Sequence, residues 1–183
     1  MPKSDIARRN MVDCQIRPAD VTDPRIISAM GTVLRELFVP EEKRSTAYSE
    51  GHIEIAPQRY LLDPLTFCVL LKAAEIKSEE IVLIIGGGDG YSGAVISRLA
   101  DAVLSLESDA ILAANATRQL DNLGVDTVAM LTGPLASGYS KQAPYDVIFV
   151  NGAIASNLAA LTGQLRDGGR LVCVEYDGSV GRV

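Results

Sequence analysis

From Ile81 onward the apolar positions switch regularly between two periods. Residues 81–85 (IVLII) form a short β-branched run that predicts a strand, glycines interrupt the pattern over 86–93, and Ala94, Val95 and Leu99 then recur at helical spacing. A second strand is predicted over 102–106, closed by Glu107. Ser108 or Asp109 is placed to cap a helix with Ile111, Leu112 and Leu120 inward, and Gly124 suits its left-handed C-terminal cap. Further strands are predicted over 127–131, 147–150 and 171–174. Between the last two, Ser156 is expected to cap a helix carrying Leu158, Leu161 and Leu165. Parallel neighbours require crossover connections, so strands alternating with helices predict an α/β fold, a doubly wound and mainly parallel sheet.

Upstream, residues 1–75 read as a mainly helical extension. Asp23-Pro24 and Asp63-Pro64 each pair an N-cap with proline at the first helical position. Ile27, Met30 and Leu34 are expected on one face of the first helix; Phe67, Leu70, Leu71 and Ala74 are expected on one face of the second, with Lys72 solvated. Residues 40–59 read as loop. The expected organisation is one structural domain, with 1–75 as extension and substrate-loop region and 76–183 as the ligand-binding α/β core.

In such a sheet the ligand crevice lies at the carboxyl ends of the strands, where strand order reverses, and "IIGGGDGYSG" (84–93) falls at that place. Read as G-x-G-x-G from Gly86, through Gly88 and Gly90, it suits a nucleoside such as S-adenosylmethionine. Read as G-x-G-x-x-G from Gly88, it suits a dinucleotide such as NAD. The strand ends at Ile85, which favours the Gly86 register. Glu107, about 20 residues on, can accept hydrogen bonds from both ribose hydroxyls and serves either ligand.

Composition narrows the field further. The 183 residues are 48% hydrophobic and 22% charged, with a net charge of −6, so no basic footprint marks a nucleic-acid binder. No apolar stretch approaches a membrane span and the first residues lack a secretory core, which makes a cytosolic location the expectation. Cys14, Cys68 and Cys173 are spaced for neither a disulfide framework nor zinc, and the single histidine, His52, precludes a multi-histidine metal site and reads as a surface or packing residue.

The segments "MVDCQIRPADVTDPRIISAM", "LFVPEEKRSTAY", "IVLIIGGGDGYSGAVISRLA", "VLSLE", "YDVIFVNGA" and "LRDGGRLV" follow one another from about Asn10 to Val174. In that order they resemble the protein-L-isoaspartate O-methyltransferases. The resemblance implies a Rossmann-like methyltransferase fold, S-adenosylmethionine as cofactor, and methyl transfer to a carboxylate of isoaspartyl residues in damaged proteins. It places cofactor binding at Gly86, Gly88, Gly90 and Glu107, and implies a protein or peptide partner; the charge, hydropathy and cysteine–histidine readings above lead us to expect no nucleic acid, membrane or metal.

Several positions depart from the family pattern. Ile84 stands where an acid is usual, and Gly133-Pro134-Leu135 replaces a glycine-aspartate-glycine. In the substrate loop, Tyr60 and Leu62 occupy the positions of a threonine and of the serine implicated in catalysis. Arg59 could hold a carboxylate and Tyr60 or Asp63 orient another acceptor; alternatively Asp63 caps a helix, Arg59 is solvated and Tyr60 packs. After the fifth strand the chain stops where the related fold continues through a helix and an antiparallel pair of strands; either it is shortened or that edge is completed another way, and an edge left uncovered would favour self-association or aggregation. Two rivals accompany the methyltransferase reading: a catalytically degenerate protein that binds S-adenosylmethionine as a sensor or structural ligand, and an NAD-dependent oxidoreductase. Asn151-Gly152-Ala153 lacks the asparagine-proline-proline pattern of base methylation.

Overall fold

The computed structural model describes residues 3–154, 158–176 and 181–183. Helix α1 (Lys3–Met11) leads through a π-helical turn into α2 (Pro24–Thr32), and short 3-10 turns connect to a hairpin of β1 (Ile53–Ala56) and β2 (Arg59–Leu61). Next come α3 (Pro64–Ala74), β3 (Ile81–Ile85), α4 (Tyr91–Ile96), β4 (Ala102–Glu107), α5 (Ala110–Asn122) and β5 (Val128–Thr132). β6 (Tyr145–Ile154), α6 (Ala159–Thr162), β7 (Leu165–Tyr176) and β8 (Gly181–Arg182) complete the order.

Carboxylates start three of the helices, each satisfying N–H groups that have no partner inside the first turn. Asp23 accepts from Arg25 N at 2.8 Å, Asp63 from Thr66 N at 2.9 Å, and Asp109 from Ile111 N and Leu112 N at 2.8 and 3.1 Å. Of the two caps expected for α5, the structure takes Asp109, and Gly124 follows the helix in the left-handed region at φ +67°.

The sheet runs β5-β4-β3-β6-β7-β8, with the first five strands parallel and β8 antiparallel to β7. That short β8 corrects the expectation that no antiparallel strand follows the fifth. β3 lies between β4 and β6, so chain direction across the sheet reverses there and a crevice opens beyond the ends of β3 and β6. Strand pleating sends Val82, Ile84, Val103, Val147 and Phe149 to one face, packed with residues of α1 to α4. Leu83, Ile85, Leu104, Leu106, Ile148 and Val150 go to the other, against Leu161 and the loops around Leu135 and Leu158.

Some local expectations fail, each because a tertiary contact outweighs the local pattern. Residues 53–61 form a hairpin rather than loop, its turn held with Gln58 at φ +59°. The buried face of α2 is Ile26, Ala29 and Met30, and Leu34 lies beyond the helix end. Ile111 is 76% exposed, because α5 turns Leu112, Ala113, Ala116 and Leu120 to the core instead. Leu165 belongs to β7, not to a helix, and Ser156 lies outside the described residues. Among the described residues no helix is long and apolar enough to cross a membrane.

Candidate functional site

The glycine turn is shaped by the strand beside it. The N–H groups of Gly86 and Gly87 both donate to Leu106 O at 2.9 Å, which turns the chain off β3 as soon as Ile85 is paired. Gly86, Gly88 and Gly90 then lie at φ +80°, +56° and +93°, where a side chain would strain the backbone. Gly87 is required for a different reason. A Cβ there would lie 2.0 Å from Ser105 Oγ, and neither glycine register counts it.

Glu107, at the end of β4, is wholly buried and organises the turn. Its Oε2 accepts from Gly88 N at 3.0 Å, while Oε1 accepts from Ser108 N at 2.7 Å, Asp109 N at 3.0 Å, Ser108 Oγ at 3.2 Å and Arg59 Nε at 3.1 Å. Burial pushes the carboxyl up, but the Asp109 N–H, Arg59 and the N–H groups of Gly88 and Ser108 outweigh it and hold it below its ordinary value. Glu107 is therefore ionised at neutral pH.

A cavity of about 550 Å³ opens at the crevice between β3 and β6. Ile85, Gly86, Gly88 and Asn151 form its floor, and His52, Arg59, Tyr60 and Leu62 approach from the hairpin side. Asn151 donates from Nδ2 to Gly86 O at 3.0 Å, while its Oδ1 is buried without a partner among the described residues. An unpartnered buried acceptor is costly unless something fills it. In the cavity wall beside the positive-φ Gly86, this acceptor suits a hydrogen-bond donor such as an ammonium.

Of the residues expected to bind cofactor, Gly86 and Gly88 form the wall of this cavity. Gly90 does not: its Cβ position faces Ala116 and Leu120, so it closes the turn from beneath. Glu107 sits behind Arg59. Arg59, read as either solvated or a carboxylate holder, is paired with this acid, and Tyr60 is 51% exposed rather than packed. Asp63 does cap α3, and its own N–H donates to His52 Nδ1 at 3.0 Å. Leu62 is buried against the cavity and Ile84 is sealed in the core beneath the turn, so neither supplies a polar group. The sequence reading missed Gly87, Asn151 and a buried neighbour, Asp89. Asn151 was legible only as the residue after an apolar strand, a weak signal.

Asp89 accepts from Tyr91 N at 3.0 Å with Oδ1, while Oδ2 is shut from solvent without a partner among the described residues. Burial pushes this carboxyl up to about 7, with the Glu107 charge adding to it, against the Tyr91 N–H and Arg35, which draw it down. The ordinary value is about 3.9, so the folded state binds the proton more tightly than the unfolded chain does. Stability from this group is present below pH of about 4 and is lost as pH rises towards 7. Asp89→Asn is accordingly expected to gain stability relative to the parent between pH 5 and pH 8 in urea unfolding; an equal difference at both pH values would refute the assignment.

Among the described residues no cluster of three or more histidine, cysteine or acidic side chains could hold a metal ion. In overall shape the chain is similar to two solved structures. A protein-L-isoaspartate O-methyltransferase matches with a TM-score of 0.78 and 26% identity over 92% of this chain, which spans 55% of that protein. A Plasmodium falciparum protein, named a protein-L-isoaspartate O-methyltransferase and solved in complex with S-adenosyl-L-homocysteine, matches with a TM-score of 0.80 over 99% of this chain and 88% of its own; at 14% identity it speaks for the fold alone. In sequence the chain is 39% identical over 165 residues to the protein-L-isoaspartate O-methyltransferase of Syntrophus aciditrophicus, covering 90% of this chain and 76% of that one. It is 40% identical over 169 residues to protein-L-isoaspartate O-methyltransferase 2 of Marinobacter nauticus, covering 92% and 77%. The family model described as Protein-L-isoaspartate(D-aspartate) O-methyltransferase matches residues 7–178, nearly the whole chain, and the chain therefore belongs to the protein-L-isoaspartate(D-aspartate) O-methyltransferase family.

Proposed function

We propose that this protein is an S-adenosylmethionine-dependent O-methyltransferase that modifies a carboxylate on a protein or peptide, in the repair of isoaspartyl damage in the cytoplasm. The observation that carries this reading is the cavity between β3 and β6, where the positive-φ turn meets the unpartnered Asn151 Oδ1, with the ionised Glu107 enclosed directly behind the lining residue Arg59. Gly86, Gly88 and Asn151 would hold the methionine end, Glu107 the ribose, and Gly90 would keep the turn closed. The cofactor supplies an activated sulfonium methyl group, and an acceptor carboxylate is already ionised at neutral pH. The chain's own contribution is therefore to position the two in line and exclude water, a task that needs no proton transfer. Residues 1–75 would furnish the acceptor side, working as one domain with 76–183.

A second reading, a protein that binds the cofactor without turnover, is favoured by Leu62, whose apolar side chain faces the cavity where the family carries a hydroxyl. Calorimetric titration with S-adenosylmethionine and with NAD separates both readings from an oxidoreductase: saturable binding of the first and none of the second is expected. Labelled methyl transfer to an isoaspartyl peptide, but not to its aspartyl control, is expected of the enzyme. Its absence, together with gained transfer by Leu62→Ser, would favour the binder. NAD binding alone would overturn both.

A further inference from the structure

The Arg59–Glu107 pair joins two halves of the site that have separate tasks. Arg59 stands on β2, in the substrate hairpin, and reaches across to the acid at the end of β4, 48 residues away. Its Nη2 donates to Ser108 Oγ at 2.6 Å and its Nη1 to Gln58 O at 3.2 Å. The Arg59 side chain is a third exposed and lines the cavity, whereas Glu107 is wholly enclosed.

The two oxygens of Glu107 are unequally used. Oε2 takes only Gly88 N, while Oε1 takes two backbone N–H groups, a hydroxyl and Arg59 Nε. A carboxylate offers about four lone-pair sites in all, so Oε1 is already crowded. Engaging both hydroxyls of a ribose, one on each oxygen, requires Oε1 to give up a donor. The two backbone donors are held by the start of α5, and the Ser108 hydroxyl, at 3.2 Å, is itself tied to Arg59 Nη2 at 2.6 Å and is released with it. Arg59 can leave, because its guanidinium is on a flexible, partly solvated side chain.

Once released, Arg59 remains at the cavity beside Tyr60 and Leu62. Among the described lining residues it is the sole permanently charged cation, and none of them is a carboxylate. A guanidinium fork there matches an incoming carboxylate, and it does so where Leu62 offers no hydroxyl.

We propose that Arg59 binds the acceptor carboxylate and is stored on Glu107 until Glu107 takes the ribose, so that filling the cofactor seat frees the acceptor seat. This rests on the reading of the site given above. Binding in one seat then favours binding in the other, and the linkage is reciprocal.

Calorimetry with S-adenosyl-L-homocysteine, which cannot transfer a methyl group, tests it without turnover. Arg59→Ala and Arg59→Gln remove the internal competitor, and both are expected to bind S-adenosyl-L-homocysteine more tightly than the parent by about fivefold, the scale of a partly exposed ion pair. An isoaspartyl peptide is expected to bind the parent at least about tenfold more tightly when S-adenosyl-L-homocysteine is present, within the usual range of coupling between sites. Both variants should lose that enhancement, and a peptide with the carboxylate amidated should never show it. The glutamine variant keeps most of the side chain's bulk, and unfolding midpoints close to the parent's would confirm that each variant is folded. If the variants bind S-adenosyl-L-homocysteine no more tightly than the parent, or if the parent binds the peptide equally with and without it, the role of Arg59 is overturned while the cofactor seat stands. If the parent does not bind S-adenosyl-L-homocysteine at all, the cofactor seat is refuted and this role with it.

Discussion

Gly87→Ala is expected to destabilise the protein by about 3 kcal/mol, at the upper end of what one added methyl costs a packed interior. The new Cβ would meet Ser105 Oγ at 2.0 Å and Ser105 Cβ at 3.2 Å. The hydroxyl can turn away, but the Ser105 backbone and Cβ have little room to retreat. Ser105 is wholly buried on β4, paired in register with Ile84 on one side and Met130 on the other. The strain would instead shift Gly86 and Gly88, so a fall in S-adenosyl-L-homocysteine affinity of about tenfold should accompany the lost stability, given how sensitive bound geometry is to small displacements. A double-mutant cycle isolates the cause. Ser105→Gly alone should cost about 1 kcal/mol as a strand glycine, yet in the Gly87→Ala background it removes the clashing atoms and should restore stability. Additive losses in urea unfolding would show that the close approach is not what demands glycine.

Arg35→Met should have the next largest effect, a loss of about 3 kcal/mol, because removing one partner leaves buried groups unsatisfied. Arg35 is fully enclosed and donates from Nε to Ala47 O at 2.6 Å and from Nη2 to Leu62 O. Its guanidinium carbon lies 4.9 Å from the centre of the Tyr91 ring, at the start of α4. One side chain thus ties the 3-10 turns, the cavity wall at Leu62 and the helix after the glycine turn. Methionine fills much of the volume and leaves both carbonyls without their donor. Hydrogen exchange should report faster opening around residues 47 and 62 than in β3 or β6. Uniform acceleration would indicate global destabilisation and no special role in holding the hairpin.

Both predictions concern contacts that no window of sequence displays. By contrast, the strand over 81–85 and the caps at Asp23, Asp63 and Asp109 are local matters: β-branched runs and carboxylates ahead of helices act on their own neighbours, so the structure repeats them. The run 147–150 is recognised for the same reason, although β6 extends from Tyr145 to Ile154 because pairing with β7 carries it further. The hairpin at 53–61 is not visible locally. Its strands are four and three residues long, and its turn uses Gln58 in a conformation that sequence associates with glycine. Ile111 shows the converse error, a residue with apolar periodicity that tertiary packing leaves in solvent.

For the site, the sequence by itself determined the alternation of strands and helices from Ile81 to Asn122, the place of the glycine turn after Ile85 and the acid at Glu107, since each depends on spacing along one stretch of chain. Only the tertiary structure decided that Gly87 is indispensable, that Gly90 faces α5 and not the cavity, and that Arg59 rests on Glu107. Those outcomes depend on which strand lies beside which and on distances of 2 to 4 Å between residues far apart in sequence. Periodicity carries no information at that range.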